Sequence, residues 1–285
     1  FWMRVYEIPE GTKVSKGRAI QNLINIEQDD KVKAFICTQD LKDEEYINNH
    51  YVIMATKKGQ VKKTSLEQYS RPRTNGINAI TIKEDDELLE AKLTNGDSQV
   101  MIALKSGKAI RFEEAKTRPM GRGASGVRGV RLQNDQDEAI GMIAVNEMES
   151  DILVVSENGY GKRSSLEDYR ITNRGGKGVK TISITEKTGA LVAIKNVSDN
   201  DDLMIINKSG IAIRLAVENL RVMGRATQGV KLINLKANDS IAAVAKVMHE
   251  DDEEIDNETV NEVLIDNSEN QQSEPTADES TNKKE

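Results

Sequence analysis

Four glycines, Gly59, Gly107, Gly159 and Gly210, recur at intervals of 48, 52 and 51 residues, each between two short apolar runs. A second glycine follows at a set offset: Gly126, Gly178 and Gly229 stand 19 residues beyond the first, and Gly76 stands 17 beyond. A repeat of this period restricts the chain to stacked supersecondary units, none of which can bury its apolar surface alone.

The runs before the first glycine, Tyr51 to Thr56, Val100 to Leu104, Ile152 to Ser156 and Leu203 to Asn207, are rich in β-formers. Glycine accepts the positive φ of a tight hairpin, so each run is expected to fold back on the strand after it. The second glycine opens a further strand, read at Ile77 to Ile82, Val127 to Leu132, Val179 to Ile184 and Val230 to Leu235. Polar turns such as Lys83 to Glu87 and Asn134 to Glu138 lead into a fourth run, Leu88 to Leu93 or Ala139 to Val145. Four strands in about fifty residues make one propeller-type blade. The fold class is therefore all-β. A fifth repeat is cut at the front, with Lys13 to Ile26 and Lys31 to Thr38 supplying what remains of its blade, and Phe1 reads as the edge of a longer chain.

The periodicity spans residues 1–249 and stops there. Residues 250–285 carry 14 acidic residues against Lys283 and Lys284. Such a segment cannot offset its ordering entropy by burial and is expected to be a disordered acidic tail. The formal net charge of −7 thus conceals a basic body, in which residues 1–249 hold 38 basic against 33 acidic side chains. Basic bodies fit polyanionic partners. Two roles for the tail stay open, competition with a polyanion for the basic surface and simple solubilisation.

The basic residues follow the repeat. Lys63, Arg111, Arg163 and Arg214 stand four residues after each hairpin glycine. Lys13, Arg122, Arg174 and Arg225 stand four residues before the second glycine, where the second repeat has Pro72 between Arg71 and Arg73. Lys62, Arg118, Arg128, Arg131, Lys162, Lys177, Lys180, Arg221 and Lys231 add to them, and Gly175 and Gly176 let a backbone come close to a ligand. In stacked blades, equivalent positions fall on equivalent places, so the set is expected to form a stripe around the rim. Arginine forks and exposed amides suit phosphate oxygens. With no base-reading helix evident, binding to duplex DNA is expected to be sequence-tolerant and salt-dependent.

Other chemistry is excluded by context. Gly121 to Gly126 matches Gly-x-Gly-x-x-Gly but precedes a strand pattern rather than a helix. Cys37 is the one cysteine and His50 and His249 are the two histidines, which argues against a disulfide framework, a histidine-based metal cluster or a conventional triad. Tyr69 and Tyr169 share a repeat position, which favours packing over nucleophilic use. No apolar run reaches the length of a membrane span.

Four segments carry a family resemblance: Val61 to Thr64, Gly126 to Leu132, Asn158 to Arg163 and Met223 to Val230. Together they are similar to the C-terminal domain of the A subunit of bacterial DNA gyrase, from Phe1 to about Val247. The resemblance implies a six-bladed β-pinwheel whose blades exchange strands, and a part in wrapping DNA so that the whole enzyme introduces negative supercoils. It also implies partnership with the rest of the gyrase A subunit and with the gyrase B subunit in an A2B2 assembly. ATP and Mg2+ are implied as requirements of the holoenzyme rather than of this chain, and so is a cytoplasmic place on the chromosome. The family's signature box belongs to the first blade; Asn173 to Gly178 shares its Arg-Gly-Gly-Lys-Gly core but lies in a later repeat. No topoisomerase turnover is expected of this chain by itself. The alternatives are the equivalent domain of topoisomerase IV and a non-enzymatic propeller-type scaffold that binds acidic proteins.

Overall fold

Each hairpin glycine closes a pair of antiparallel strands, and the computed structural model shows how these pairs become blades. It describes residues 1–12, 15–24, 26–27, 30–146, 150–236 and 238–248. Compactness divides the chain into Phe1–Met248 and His249–Glu285. The second unit, with the acidic tail expected at 250–285, lies outside the described residues.

In chain order, the second repeat supplies β1 (Tyr51–Thr56), β2 (Gln60–Ser65) and β3 (Leu88–Thr94). The third supplies β4 (Gln99–Leu104), β5 (Lys108–Glu113), β6 (Val127–Arg128) and β7 (Ala139–Val145). The fourth supplies β8 (Asp151–Ser156), β9 (Tyr160–Ser165), β10 (Val179–Lys180) and β11 (Leu191–Val197), and the fifth β12 (Asp201–Asn207), β13 (Ala212–Ala216), β14 (Val230–Lys231) and β15 (Ile241–Met248). Among the described residues these form four sheets, in the orders β3-β1-β2-β6, β10-β5-β4-β7, β11-β8-β9-β14 and β13-β12-β15.

The strand orders reveal donation between repeats. β6 pairs with β2, β10 with β5 and β14 with β9, so each short strand completes the sheet of the preceding repeat. The reading of one repeat as one self-contained blade is corrected accordingly, and the strand exchange implied by the family resemblance is what the chain does. The donated strands are also shorter than expected, two residues each. Beyond them the chain bonds to the hairpin turn instead: Gly129 and Val130 donate to the carbonyl of Gly59, and Thr181 and Ile182 to that of Gly107.

The second glycine is where the donated strand meets the sheet that receives it. Gly126 and Gly178 have φ of +88° and +70°, and a β-carbon on either would lie 2.6 Å from a carbonyl oxygen, that of Val61 or Ala109. Only glycine relieves both constraints.

Both faces of β1, β2, β4, β5, β8 and β9 are buried, because the core lies between sheets. Ile53, Ala55 and Val61 of the first sheet pack with Val100, Ile102 and Phe112 of the second. Met101, Ala103 and Ile143 of the second pack with Ile152, Val154 and Tyr169. Leu153 and Val155 of the third pack with Leu203, Ile205 and Val217. Tyr169 is 1 % exposed and Tyr69 9 %, so both tyrosines serve packing. Neighbouring sheets touch most along β3, β7, β11 and β15, which places the donated strands on the opposite, outer edge.

The first repeat forms no strand among its described residues. Lys31 to Thr38 keeps the alternation of a strand, with Ala34 and Ile36 packed beside Val52 and Met54, but no ladder partner is described for it. Ile77 to Ile82, read as the strand opened by the second glycine, likewise lacks a ladder, for want of a described hairpin in the first repeat to receive it.

Gly178→Ala is expected to lose about 2–4 kcal/mol through the strained φ and the clash with Ala109. Thermal denaturation checks this against Gly224→Ala, where a β-carbon meets no atom within 4 Å and Tm should hold.

Candidate nucleic-acid interface

Five of the basic residues three or four places after the hairpin glycines do not reach the rim. Lys62, Lys63, Arg111, Lys162 and Arg163 are all buried. For these five the expected surface stripe is corrected. A strand packed on both faces has no solvent side, so a cation there must find its partners inside.

Those partners clasp one sheet to the next. Lys63 Nζ lies 2.8 Å from Glu114 Oε1 of the following repeat, and 4.0 Å from the centre of the Tyr51 ring. Arg111 Nη1 donates to the carbonyls of Leu166 (2.6 Å) and Tyr169 (2.9 Å), and its Nε to Gln99 Oε1. Burial draws the Arg111 pKa below the ordinary guanidinium value, while the charge of Glu167 acts to raise it. Arg163 bonds Asp151 and Asp199, both at 2.6 Å, and Nη1 donates to the carbonyl of Val217. Arg214 is more open, paired with Asp202 at 2.6 Å and donating to the carbonyl of Met248. The backbone repeats the clasp, since Met120, Thr172 and Met223 donate to the carbonyls of Lys63, Arg111 and Arg163.

Lys62 and Lys162, one residue earlier, donate to the outer-edge segments instead. Lys62 Nζ bonds the carbonyls of Ala79 and Arg122, and Lys162 Nζ bonds that of Gly224 at 2.6 Å. Burial pushes the pKa of each down to about 8, with Arg122 adding to the effect at Lys62; at Lys162 Asp168 opposes it and Arg225 adds to it.

The remaining cations reach the surface. Arg71, Arg73, Arg118, Arg128, Arg131, Lys177, Lys180, Arg221 and Lys231 are exposed, and Arg122, Arg174, Gly175, Gly176 and Arg225 are half-buried. Lys13 lies outside the described residues. From the second repeat onward they sit on the segment that leaves the 3-10 turn at one end of the blade and crosses the outer edge, where in the third to fifth repeats it becomes the donated strand. Arg118, Arg122, Arg128 and Arg131 trace this arc in the third repeat. Arg170 belongs to the same pattern: exposed, it stands eleven residues after Gly159 as Arg118 and Arg221 do after Gly107 and Gly210. Sequence reasoning missed it, although the offset was available.

The arcs meet at outer-edge junctions where a glycine loop of one repeat packs on the segment before it. Arg131 donates to the carbonyl of Gly176, and Gly175 to that of Gly129; Thr81 donates to Ala124, and Ser183 to Thr227. Arg174 is braced over its junction, its Nε donating to the carbonyl of Lys116 and its Nη1 to that of Arg128; Arg225 Nη1 donates to the carbonyl of Lys180. Cation forks held beside open backbone suit a chain of phosphates. Among the described residues no helix is long and apolar enough to cross a membrane.

The family model for the DNA gyrase C-terminal domain, a β-propeller, matches residues 1–39, 50–95, 100–146, 150–198 and 201–248. The A subunit of DNA gyrase from Staphylococcus epidermidis is 44% identical over 251 residues, covering 88% of this chain and 28% of the relative. That of Staphylococcus aureus strain NCTC 8325 is 40% identical over 280 residues, covering 97% and 31%. The chain therefore spans under a third of the length of these relatives. A solved DNA gyrase A C-terminal domain superposes with a TM-score of 0.72 at 26% identity, covering 82% of this chain and 76% of that one. A solved topoisomerase IV C-terminal domain superposes with a TM-score of 0.77 at 23% identity, covering 92% and 79%, a likeness of fold.

Lys63→Met strands the buried Glu114 carboxylate and is expected to cost about 3–5 kcal/mol in denaturant unfolding. Adding Glu114→Gln, which keeps an acceptor for the hydroxyl of Thr94, should recover most of that loss.

Proposed function

The chain belongs to the DNA gyrase C-terminal domain family, and on that premise we propose that it wraps duplex DNA around its outer edge. The observation that carries the proposal is the arc of exposed cations repeated across successive blades: Arg118 to Arg131, Arg170 to Lys180 and Arg221 to Lys231. These residues bind phosphates rather than base edges, so affinity is largely independent of sequence and falls steeply with salt. Arcs at successive angles bend the duplex. Bending tens of base pairs costs roughly 1–6 kcal/mol by smooth elastic estimates, which several phosphate contacts offset.

Wrapping at this domain would hand a crossing of fixed sense to the strand-passing part of the enzyme. In that reading the rest of the gyrase A subunit and the gyrase B subunit are the partners. ATP hydrolysis with Mg2+ belongs to that assembly, and the work is done on the bacterial chromosome in the cytoplasm. The gyrase reading is favoured over the topoisomerase IV one by relatives at 40 to 44% identity.

The triple variant Arg118→Gln, Arg170→Gln, Arg221→Gln should fold normally and bind linear duplex more weakly. The slope of log affinity against log salt should become shallower by about 0.9 for each phosphate that the variant no longer neutralises. The parent chain, incubated with relaxed circular DNA and a nicking-closing enzyme, should shift the linking number, and the variant should shift it less. Unchanged affinity in the variant would leave the acidic-partner scaffold as the better reading.

A further inference from the structure

The outer-edge junctions differ in surface charge. At the loop 173–178, Arg174 and Lys177 face Arg128 and Arg131, which makes four cations. At the loop 224–229, Arg225 meets Lys180, and the places matching Lys177 and Arg131 hold Gln228 and Ser183. At the loop 121–126, Arg122 stands alone against Asn78 and Thr81. Equal arcs would predict equal grip, and the exposed residues do not provide it.

The buried residue three places after Gly59, Gly107 and Gly159 varies in the opposite sense. It is Ile110 beneath the loop with four cations, where a β-carbon on Gly176 would meet the Ile110 side chain at 3.4 Å. Beneath the two poorer loops it is Lys62 and Lys162. Their ammonium groups donate to carbonyls of the loops themselves, Arg122 and Gly224, and Lys62 also to Ala79. The loop surface above is bare, since a β-carbon on Gly121, Gly123 or Gly224 would meet nothing within 4 Å. Each ammonium therefore lies one peptide layer below a surface that a phosphate can approach closely. A charge held in a poorly polarisable interior projects its field more strongly than one in water, and its bonds to the loop carbonyls polarise peptide groups at that surface.

We propose that Lys62 and Lys162 are positioning residues for the polyanion, buried cations that strengthen phosphate binding from beneath the two loops with the fewest exposed charges. The inference rests on the wrapping function. It makes binding proton-linked, because a phosphate overhead favours the charged ammonium that burial disfavours. The groups facing Lys62 are Arg122 and Tyr69, whose hydroxyl donates to the carbonyl of Ala79. Those facing Lys162 are Asp168, Arg225 and Tyr169, whose hydroxyl bonds Thr181. Burial raises the pKa of both tyrosines, so the lysines titrate first as pH rises.

The test uses the whole chain and a linear duplex of mixed sequence at constant ionic strength. Between pH 7.5 and pH 9.5 affinity should fall about threefold to tenfold, a tenfold change being one unit of pKa coupling. Calorimetry in buffers of different ionisation enthalpy should show proton uptake on binding near pH 8. Lys62→Met with Lys162→Met should bind more weakly at pH 7.5, by a similar factor, and show a flat pH profile. A pH-independent affinity in the parent chain, or a variant that keeps the parent's profile, overturns the inference. Should the variant fail to fold, absence of proton uptake by the parent chain decides against it. Failure of the parent chain to bind duplex at pH 7.5 would overturn the wrapping function itself.

Discussion

Everything in this molecule depends on the passage of a strand from one repeat into the sheet of the repeat before it. The passage is possible because Gly126 and Gly178 bring backbone against backbone at a distance no β-carbon tolerates. It also solves an edge problem. A three-stranded sheet ending at β2, β5 or β9 would expose unpaired amides, and the donated strand caps that edge. The same crossing carries the basic arcs to the outer edge, so the device that holds the blades together also builds the surface proposed to hold DNA.

Cations divide between two tasks according to depth. Lys63, Arg111 and Arg163 are tied into the seams by carboxylates and carbonyls of the next repeat. Their removal would be felt as lost stability, because a buried partner left unpaired costs more than the pair contributes. Arg118, Arg170 and Arg221 lie on the surface, where a lone charge contributes little to folding and much to attraction of a polyanion. Lys62 and Lys162 are buried like the first group and aimed at the loops that the second group surrounds.

The hairpins were legible because they depend on local chemistry. The expected run Tyr51 to Thr56 is β1 without change, and Ala139 to Val145 is β7. The donated strands were located but misassigned to their own repeat. Periodicity fixes where a strand lies along the chain and carries no information about which neighbour receives it. Arg170 escaped notice although its offset matched that of Arg118 and Arg221.

The sequence by itself determined the period, the turn positions, the all-β class and the recurrence of basic residues, since each follows from glycine geometry, side-chain alternation or charge. Tertiary structure decided which of those basic residues meet solvent. A lysine two residues along an alternating strand looks the same whether its far side faces water or another sheet. Only the stacking of blades, which buries both faces of β2, β5 and β9, turned Lys63, Arg111 and Arg163 from a rim into a set of clasps.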